Sequence, residues 1–172
     1  TLYAEFYYEN MAENKQIIEV YRYENGKFVW CVGLGKKLNF AGVGSQNLPR
    51  PWADAVIEDT LFFTVGRLYM TTNLVDFTEV RIPNNAWVYD IYTHEDTMYL
   101  LTAFQGADGA YSVAVYSSAT ADPYDFQKEY TLDGAAQPTS LAVSDDGYFI
   151  SFGNWNSMVD EQNGTVIYYP KK

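Results

Sequence analysis

Two residue types that often carry chemistry occur only once each in this chain, as Cys31 and His94. A single cysteine cannot form a disulfide within the chain, and the apolar run 28–32 around Cys31 predicts a small packed side chain rather than a nucleophile. A single histidine excludes a metal site with several histidine ligands. A Ser-His-Asp triad could use only His94, and its polar surroundings between two strand-like runs predict a solvated turn.

Other patterns that could bind a metal or a cofactor lack the neighbouring residues that such sites need. The run Asp145-Asp146-Gly147 lacks the remaining ligands of a calcium loop and is predicted to form a tight turn. The glycines at 33–35 and 42–44 are not followed by a helix, so a nucleotide-binding loop is not predicted. We therefore expect no metal ion and no cofactor in this chain.

Glycoside hydrolysis needs two carboxylates at a defined separation. The candidates near the predicted loops are Asp54, Asp90, Asp160 and Glu161. Asp54 and Asp90 fall at different positions when the internal repeats are aligned. Asp160 and Glu161 lie in loop sequence, where a solvated charge is expected. These residues predict no catalytic pair within the chain, and the alternative is a fragment of a glycoside hydrolase whose site another segment completes.

Aromatic and amide side chains in the predicted loops favour the binding of a neutral sugar. A flat aromatic ring stacks on the apolar face of a pyranose, and amides offer paired donors and acceptors to hydroxyl groups. The predicted ligand-binding residues are Trp155, Trp52, Trp87, Asn154, Asn156, Asn85 and Arg50. Further amides in these loops are Asn47, Asn84 and Gln137. For Trp52 and Trp87 the alternative is packing between sheets.

The composition restricts the classes of partner. The chain has 172 residues, with 22 acidic and 11 basic side chains and a net charge of −11. This charge disfavours nucleic acid and anionic membranes, because both are negatively charged. No apolar run approaches the roughly 20 residues of a spanning helix, so no membrane insertion is predicted. Neutral sugars, cations and basic proteins are compatible with this charge.

Short apolar or aromatic runs alternate with turn residues along the chain, which predicts an all-β fold. The aromatic content of 17% also favours strands. An acidic turn followed by an aromatic strand recurs at 57–62, 94–99 and 144–149. The spacing of these repeats brackets that of four-stranded propeller blades. The predicted fold is a β-propeller, and the alternative is a β-sandwich.

Four blade-like units of a single propeller domain are predicted, at about 1–35, 52–83, 86–133 and 138–172. Strands are expected at 2–9, 16–23, 27–33, 53–58, 60–65, 67–72, 77–82, 87–93, 97–104, 111–118, 126–132, 139–144, 148–153 and 164–169. This arrangement is two strands short of four complete blades. We therefore expect part of a larger propeller, or one that associates with a complementary segment or a second copy. Because Thr1 lies in strand-like sequence, residues upstream of it are also expected.

The segment 71–80, Thr-Thr-Asn-Leu-Val-Asp-Phe-Thr-Glu-Val, resembles a turn of arabinanase and fructosidase-like propellers that reads Ser-x-Asp-Leu-x-x-Trp. It is also similar to the Asp-box turn of sialidase propellers, Ser-x-Asp-x-Gly-x-x-Trp. Thr71 or Thr72 stands for Ser, Asn73 for Asp and Phe77 for Trp.

A longer second copy of this turn covers 118–126, and the resemblance extends over about 52–133. The resemblance implies a propeller of the sialidase or arabinanase/fructosidase-like type. It carries over no catalytic residue, because this turn is structural in those families. We expect an extracellular or cell-surface module that recognises carbohydrate without catalysing a reaction. A protein-interaction scaffold is a further alternative.

Overall fold

The computed structural model describes residues 2–10, 15–33, 53–65, 67–153 and 165–171. These residues form fourteen β-strands and one 3₁₀ turn, Pro83–Asn85, and no α-helix. The strands are β1 Leu2–Asn10, β2 Lys15–Glu24, β3 Lys27–Gly33, β4 Asp54–Ile57, β5 Thr60–Val65, β6 Arg67–Thr71, β7 Thr78–Val80, β8 Trp87–His94, β9 Thr97–Gln105, β10 Tyr111–Ala119, β11 Gln127–Ala135, β12 Pro138–Val143, β13 Gly147–Phe152 and β14 Thr165–Pro170. Every strand expected from the sequence is present, and the all-β prediction is confirmed.

The strands pair in chain order to form four antiparallel sheets. The first sheet contains β1–β3, the second β4–β7, the third β8–β11 and the fourth β12–β14. Within each sheet every strand pairs with the next one along the chain. None of these sheets closes into a barrel. The described strands thus form four sheets, whereas a β-sandwich would contain two.

The chain is grouped into two compact units. The described part of unit 1 comprises 2–10, 15–33 and 71–78, and that of unit 2 comprises 53–65, 67–70, 79–153 and 165–171. In neither described part does a helix have the length and apolar character needed to cross a membrane.

The sheet of unit 1 turns tightly between β2 and β3 at Asn25-Gly26, as the sequence predicts. Both residues have positive φ, 51° and 81°, which a two-residue hairpin turn requires and which Asn and Gly tolerate best. On one face of the sheet, the ring of Phe6 packs edge-on against Tyr21 and Phe28, with centroid distances of 5.0 and 5.7 Å. These aromatic pairs join all three strands.

The turn that follows β6 is held by two of its own side chains. Thr71 Oγ1 accepts hydrogen bonds from the backbone N–H groups of Asn73 and Leu74, at 3.3 and 3.0 Å. Asn73 Oδ1 accepts from the N–H groups of Val75 and Asp76, both at 2.8 Å. Such bonds from a side chain to the following backbone stabilise turns. Thr71 and Asn73, which align with Ser and Asp of the turn motif, therefore have a structural role.

Unit 2 buries two hydrophobic clusters, one on each face of the third sheet. The first joins the second and third sheets through Phe62, Leu68, Val88, Met98 and Leu100. The second joins the third and fourth sheets through Leu101, Val113, Val115, Tyr148 and Ile150. A sheet that is covered on both faces needs apolar residues at successive positions rather than at alternate ones. This explains why β9 is an almost continuous apolar run from Met98 to Ala103.

Ser118 near the end of β10 is a buried hydroxyl that has no hydrogen-bond partner within the described part of the chain. It lies opposite Met98 and is 4% exposed. Burial of a hydroxyl without a partner costs about 1–3 kcal/mol. We therefore expect Ser118→Ala to raise the free energy of unfolding by about 1 kcal/mol in urea titrations.

Ser117, the preceding residue, provides the matched control for this prediction. Its hydroxyl is also buried, but it donates a hydrogen bond to Glu129 Oε1. Ser117→Ala should lower the free energy of unfolding, because it removes a bond that is made. A loss of stability in both variants would show that the Ser118 hydroxyl has a partner.

Candidate ligand-binding groove

The connection between the second and third sheets presents two consecutive asparagines with positive φ. Within the turn Pro83–Asn85, φ is 61° for Asn84 and 51° for Asn85. Such conformations are uncommon outside glycine, Asn tolerates them best, and they cluster at functional sites. Arg67 Nη1 donates a hydrogen bond to Asn85 Oδ1 at 3.1 Å, so a cation from β6 holds the turn in place.

A groove of about 430 Å³ opens beside this turn, along one face of the third sheet. Its lining residues come from the turn and from three adjacent strands: Asn84, Ala86, Thr102, Phe104, Ser112, Ala114, Tyr116, Lys128 and Thr131. The volume lies within the range of roughly 300–1,000 Å³ that is usual for small-ligand sites. We call this the amide groove, because Asn84 borders it.

The pairing of β9 with β10 explains how these side chains come together. Thr102 lies opposite Ala114, and Phe104 lies opposite Ser112. Directly opposed residues project on the same face of a sheet, and so do alternate residues of one strand. All four residues therefore share the face that carries the amide groove.

The edge strand β11 completes the amide groove on the same face. Thr131 lies opposite Ala114, and Lys128 lies opposite Tyr116. The methyl side chain of Ala114 is thus flanked by larger side chains on both neighbouring strands. A small residue among larger ones leaves a depression in the surface of the sheet.

The groove combines an apolar ring with hydrogen-bonding groups. The Phe104 side chain is 63% exposed. Asn84 Nδ2 donates to the Tyr116 hydroxyl at 3.5 Å, and the Ser112 hydroxyl donates to Asp133. Thr102 Oγ1 donates to the backbone oxygen of Ala114 at 3.0 Å, so this hydroxyl is used within the sheet. The arrangement suits a ligand that has one apolar face and several hydroxyl groups.

Of the predicted ligand-binding residues, Asn85 and Trp87 lie in the described part of the chain. Asn85 does not line the groove itself, but it follows Asn84, which does. Trp87 is 47% exposed, but it lies opposite Ala103 and therefore on the other face of the third sheet from Phe104. The remaining predicted residues, Trp155, Trp52, Asn154, Asn156 and Arg50, lie outside the described residues, as do Asn47, Asp160 and Glu161.

The ligand residues expected from the sequence lie in loops, whereas Phe104 and Ser112 of the amide groove lie on strands β9 and β10. Nothing in the local sequence indicates them, because Thr102-Ala103-Phe104-Gln105 does not alternate between apolar and polar side chains and Ser112 has only the pattern of a strand residue.

The two described carboxylate candidates have different environments. Asp90 lies half-buried at a bulge of β8, where its oxygens accept hydrogen bonds from the N–H groups of Ile91 at 2.9 Å and Leu141 at 2.7 Å. Burial raises the pKa of Asp90, and these two bonds partly offset the increase. Asp90 thus links the third and fourth sheets, whereas Asp54 is exposed at the start of β4. The Asp90 contacts are structural.

His94 ends β8 at a turn, as the sequence predicts, and its partner is an acidic side chain. Its Nε2 lies 2.8 Å from Asp145 Oδ1, and this contact lowers the pKa of the Asp145 carboxyl. The Asp145-Asp146-Gly147 run forms the predicted tight turn, in which the Ser144 N–H donates to the Gly147 oxygen at 2.9 Å. The pair therefore bridges two turns at the surface.

Cys31 is half-buried on β3, and its thiol lies 3.6 Å from the backbone oxygen of Val29. Within the described ranges, no group of three or more His, Cys, Asp or Glu residues is arranged to hold a metal ion.

Comparison of the whole chain with protein-family models, with curated proteins and with solved structures finds no match.

Proposed function

We propose that the chain is part of a β-propeller and that its amide groove recognises a neutral sugar. One observation carries the proposal: a single groove brings the exposed Phe104 ring together with the Asn84 amide and the Ser112 hydroxyl. Recognition without catalysis is the function that these groups support best.

The propeller part of the proposal rests on the organisation of unit 2. Its antiparallel meanders follow each other along the chain and pack face to face over two apolar clusters. Radial repetition of four-stranded meanders is the architecture of a propeller. The fourth sheet has three described strands, so association with a complementary segment or a second copy belongs to the same proposal. An extracellular or cell-surface location fits a module that binds carbohydrate.

The ligand class follows from the chemistry of the amide groove. An aromatic ring favours the apolar face of a pyranose, while amide and hydroxyl groups hydrogen-bond its hydroxyls. The net charge of −11 opposes the approach of an anionic sugar. A neutral oligosaccharide is therefore the proposed ligand.

Recognition is preferred to hydrolysis because no pair of carboxylates is assigned to this groove. Both oxygens of Asp90 already accept backbone hydrogen bonds. Asp133 accepts a hydrogen bond from Ser112 at the groove, but one carboxylate does not supply both the acid and the second group that hydrolysis needs. A glycoside hydrolase remains the alternative in which a further segment supplies the missing group.

The experiment is a binding screen against an array of neutral oligosaccharides, followed by calorimetric titration of the strongest ligand. We expect Phe104→Ala to weaken binding about tenfold, because the stacking surface is lost. Its thermal unfolding should be unchanged, since the ring is 63% exposed. Phe149→Ala is the matched control, because Phe149 is 41% exposed on the fourth sheet and lies away from the groove. Trp155→Ala tests the strongest of the sequence-based candidates in the same titration.

Three outcomes would contradict the proposal in different ways. Equal affinity of Phe104→Ala and wild type would place the sugar elsewhere. Release of reducing ends from a bound oligosaccharide would favour the hydrolase. Failure of every oligosaccharide to bind would favour a protein-interaction scaffold.

A further inference from the structure

A row of tyrosines lies on the other face of the third sheet, between that sheet and the fourth. The rings of Tyr99 and Tyr148 are 6.2 Å apart, those of Tyr148 and Tyr130 6.3 Å, and those of Tyr130 and Tyr169 4.6 Å. The four residues come from β9, β13, β11 and β14. The sheets of unit 2 thus bring four tyrosine rings together from four separate strands, and Tyr99 and Tyr148 are only 8% and 3% exposed.

Three of these tyrosines border a second groove of about 410 Å³, which we call the tyrosine groove. Its lining residues are Tyr99, Lys128, Glu129, Tyr130, Thr131, Tyr148, Pro170 and Lys171. Its tyrosines lie on the opposite face of the third sheet from Phe104, and it shares Lys128 and Thr131 of the edge strand β11 with the amide groove. Its volume is sufficient for a small organic ligand.

A cation already occupies part of the tyrosine groove. Lys171 Nζ lies 5.4 Å from the centroid of the Tyr99 ring and 5.6 Å from that of Tyr148. Both distances fall within the roughly 6 Å over which an aromatic face attracts a cation. The backbone N–H of Lys171 donates to the Asp146 oxygen at 2.8 Å, so its backbone is anchored to the turn before β13.

A carboxylate adds negative charge at the same place. Glu129 Oε2 accepts a hydrogen bond from the Tyr148 hydroxyl at 3.3 Å, and Glu129 Oε1 accepts one from Ser117. Burial, together with the nearby Glu129, raises the pKa of Tyr148 to about 12. The Tyr148 ring is therefore uncharged at neutral pH, and the negative charge of the groove belongs to Glu129.

We propose that the tyrosine groove binds a quaternary ammonium group and that Lys171 is a tethered cation which the ligand displaces. A quaternary ammonium fits better than a primary one, because it donates no hydrogen bonds and loses little hydration against aromatic faces. The Lys171 ammonium shows that the site accepts positive charge. The net charge of −11 favours the approach of a cation. This proposal does not rest on the sugar function, and the tyrosines that carry it do not line the amide groove.

The test is titration of the protein with choline, monitored by NMR through the chemical shifts of the tyrosine ring protons. The neutral isostere 3,3-dimethylbutan-1-ol is the matched ligand control, and we expect it to bind far more weakly. Lys171→Met should tighten choline binding about three- to tenfold, because the internal competitor is removed. Tyr99→Leu should weaken binding by a similar factor, whereas Tyr99→Phe should bind about as well as wild type.

Thermal unfolding of each variant separates a loss of the site from a loss of the fold, and Lys171→Met changes only a partly exposed side chain. Unchanged affinity in Lys171→Met would overturn the proposal, as would equal binding of choline and its isostere. A second titration with N-acetyl-trimethyl-lysine methylamide distinguishes the two sources of the ligand. Tighter binding of this compound than of choline would assign the groove to a methylated protein side chain, and the reverse to a free quaternary amine.

Discussion

Gly147→Ala is expected to lower the free energy of unfolding by about 3 kcal/mol, because a β-carbon at this position has no space. It would overlap the backbone oxygen of Tyr169 and lie 2.5 Å from the ring of Tyr168. The backbone oxygen belongs to the neighbouring strand, so relief requires β13 and β14 to separate. Urea unfolding at equilibrium measures the loss. Hydrogen exchange of the β14 amides should show where the ladder opens.

Gly153→Ala, immediately after β13, is the matched control. Among the residues that the structure describes, a β-carbon there meets the methyl group of Thr139 alone, at an ordinary distance of 3.5 Å. We expect this variant to unfold at nearly the wild-type urea concentration. Equal stability of the two alanine variants would mean that β14 does not pair with β13 as described.

Asp90→Ala is expected to destabilise the protein by about 3 kcal/mol, since two buried backbone donors lose their acceptor. The N–H groups of Ile91 and Leu141 both bond the Asp90 carboxylate. One of these bonds crosses from the third sheet to the fourth. Asp122→Ala serves as the control, because Asp122 is exposed in a turn. A loss no greater than that of the control would show that water satisfies both donors.

The pH dependence of the Asp90 contribution has a definite sign. Burial raises the pKa of Asp90 in the folded state above the value of about 4 in the unfolded chain. At a pH between the unfolded and folded pKa values of Asp90, the folded state binds more protons than the unfolded state. The contribution of Asp90 to the free energy of unfolding is therefore fully present below about pH 4, and it is lost as the pH rises through the folded pKa. Asn does not titrate. The stability advantage of wild type over Asp90→Asn should therefore decrease as the pH is raised, and an increase would mean that hydrogen bonding outweighs burial.

The strand pattern could be predicted because the information is local. The repeated acidic turns at 57–62 and 94–99 place a glutamate with positive φ before an aspartate, with φ of 52° at Glu58 and 51° at Glu95. The Asn25-Gly26 hairpin likewise needs only its own residues. Strand ends were less predictable: β11 continues to Ala135, beyond the expected end at 132. The bulge within β11 depends on its pairing with β10.

The binding surfaces were not predictable in the same way, because they depend on which strands meet. The Asp90 carboxylate accepts its hydrogen bond from Leu141, a residue that lies 51 positions further along the chain. The exposure of Phe104 depends on whether another element covers its face of the sheet. The tyrosine row combines residues that have no common spacing. From the sequence, these tyrosines indicate strands and do not indicate a site.

The meander order of the strands also affects how the chain reaches its folded state. Each sheet is built from strands that follow one another, so most pairings close short loops and lose little chain entropy. The packed sheets of unit 2 are consecutive as well, because β4 and β5 contact β8, and β8 and β9 contact β12. A β protein with such local pairing avoids much of the delay that distant strand pairing imposes on folding. During synthesis each sheet of unit 2 can form as soon as its last strand leaves the ribosome, and the next sheet of that unit can then cover its exposed apolar face.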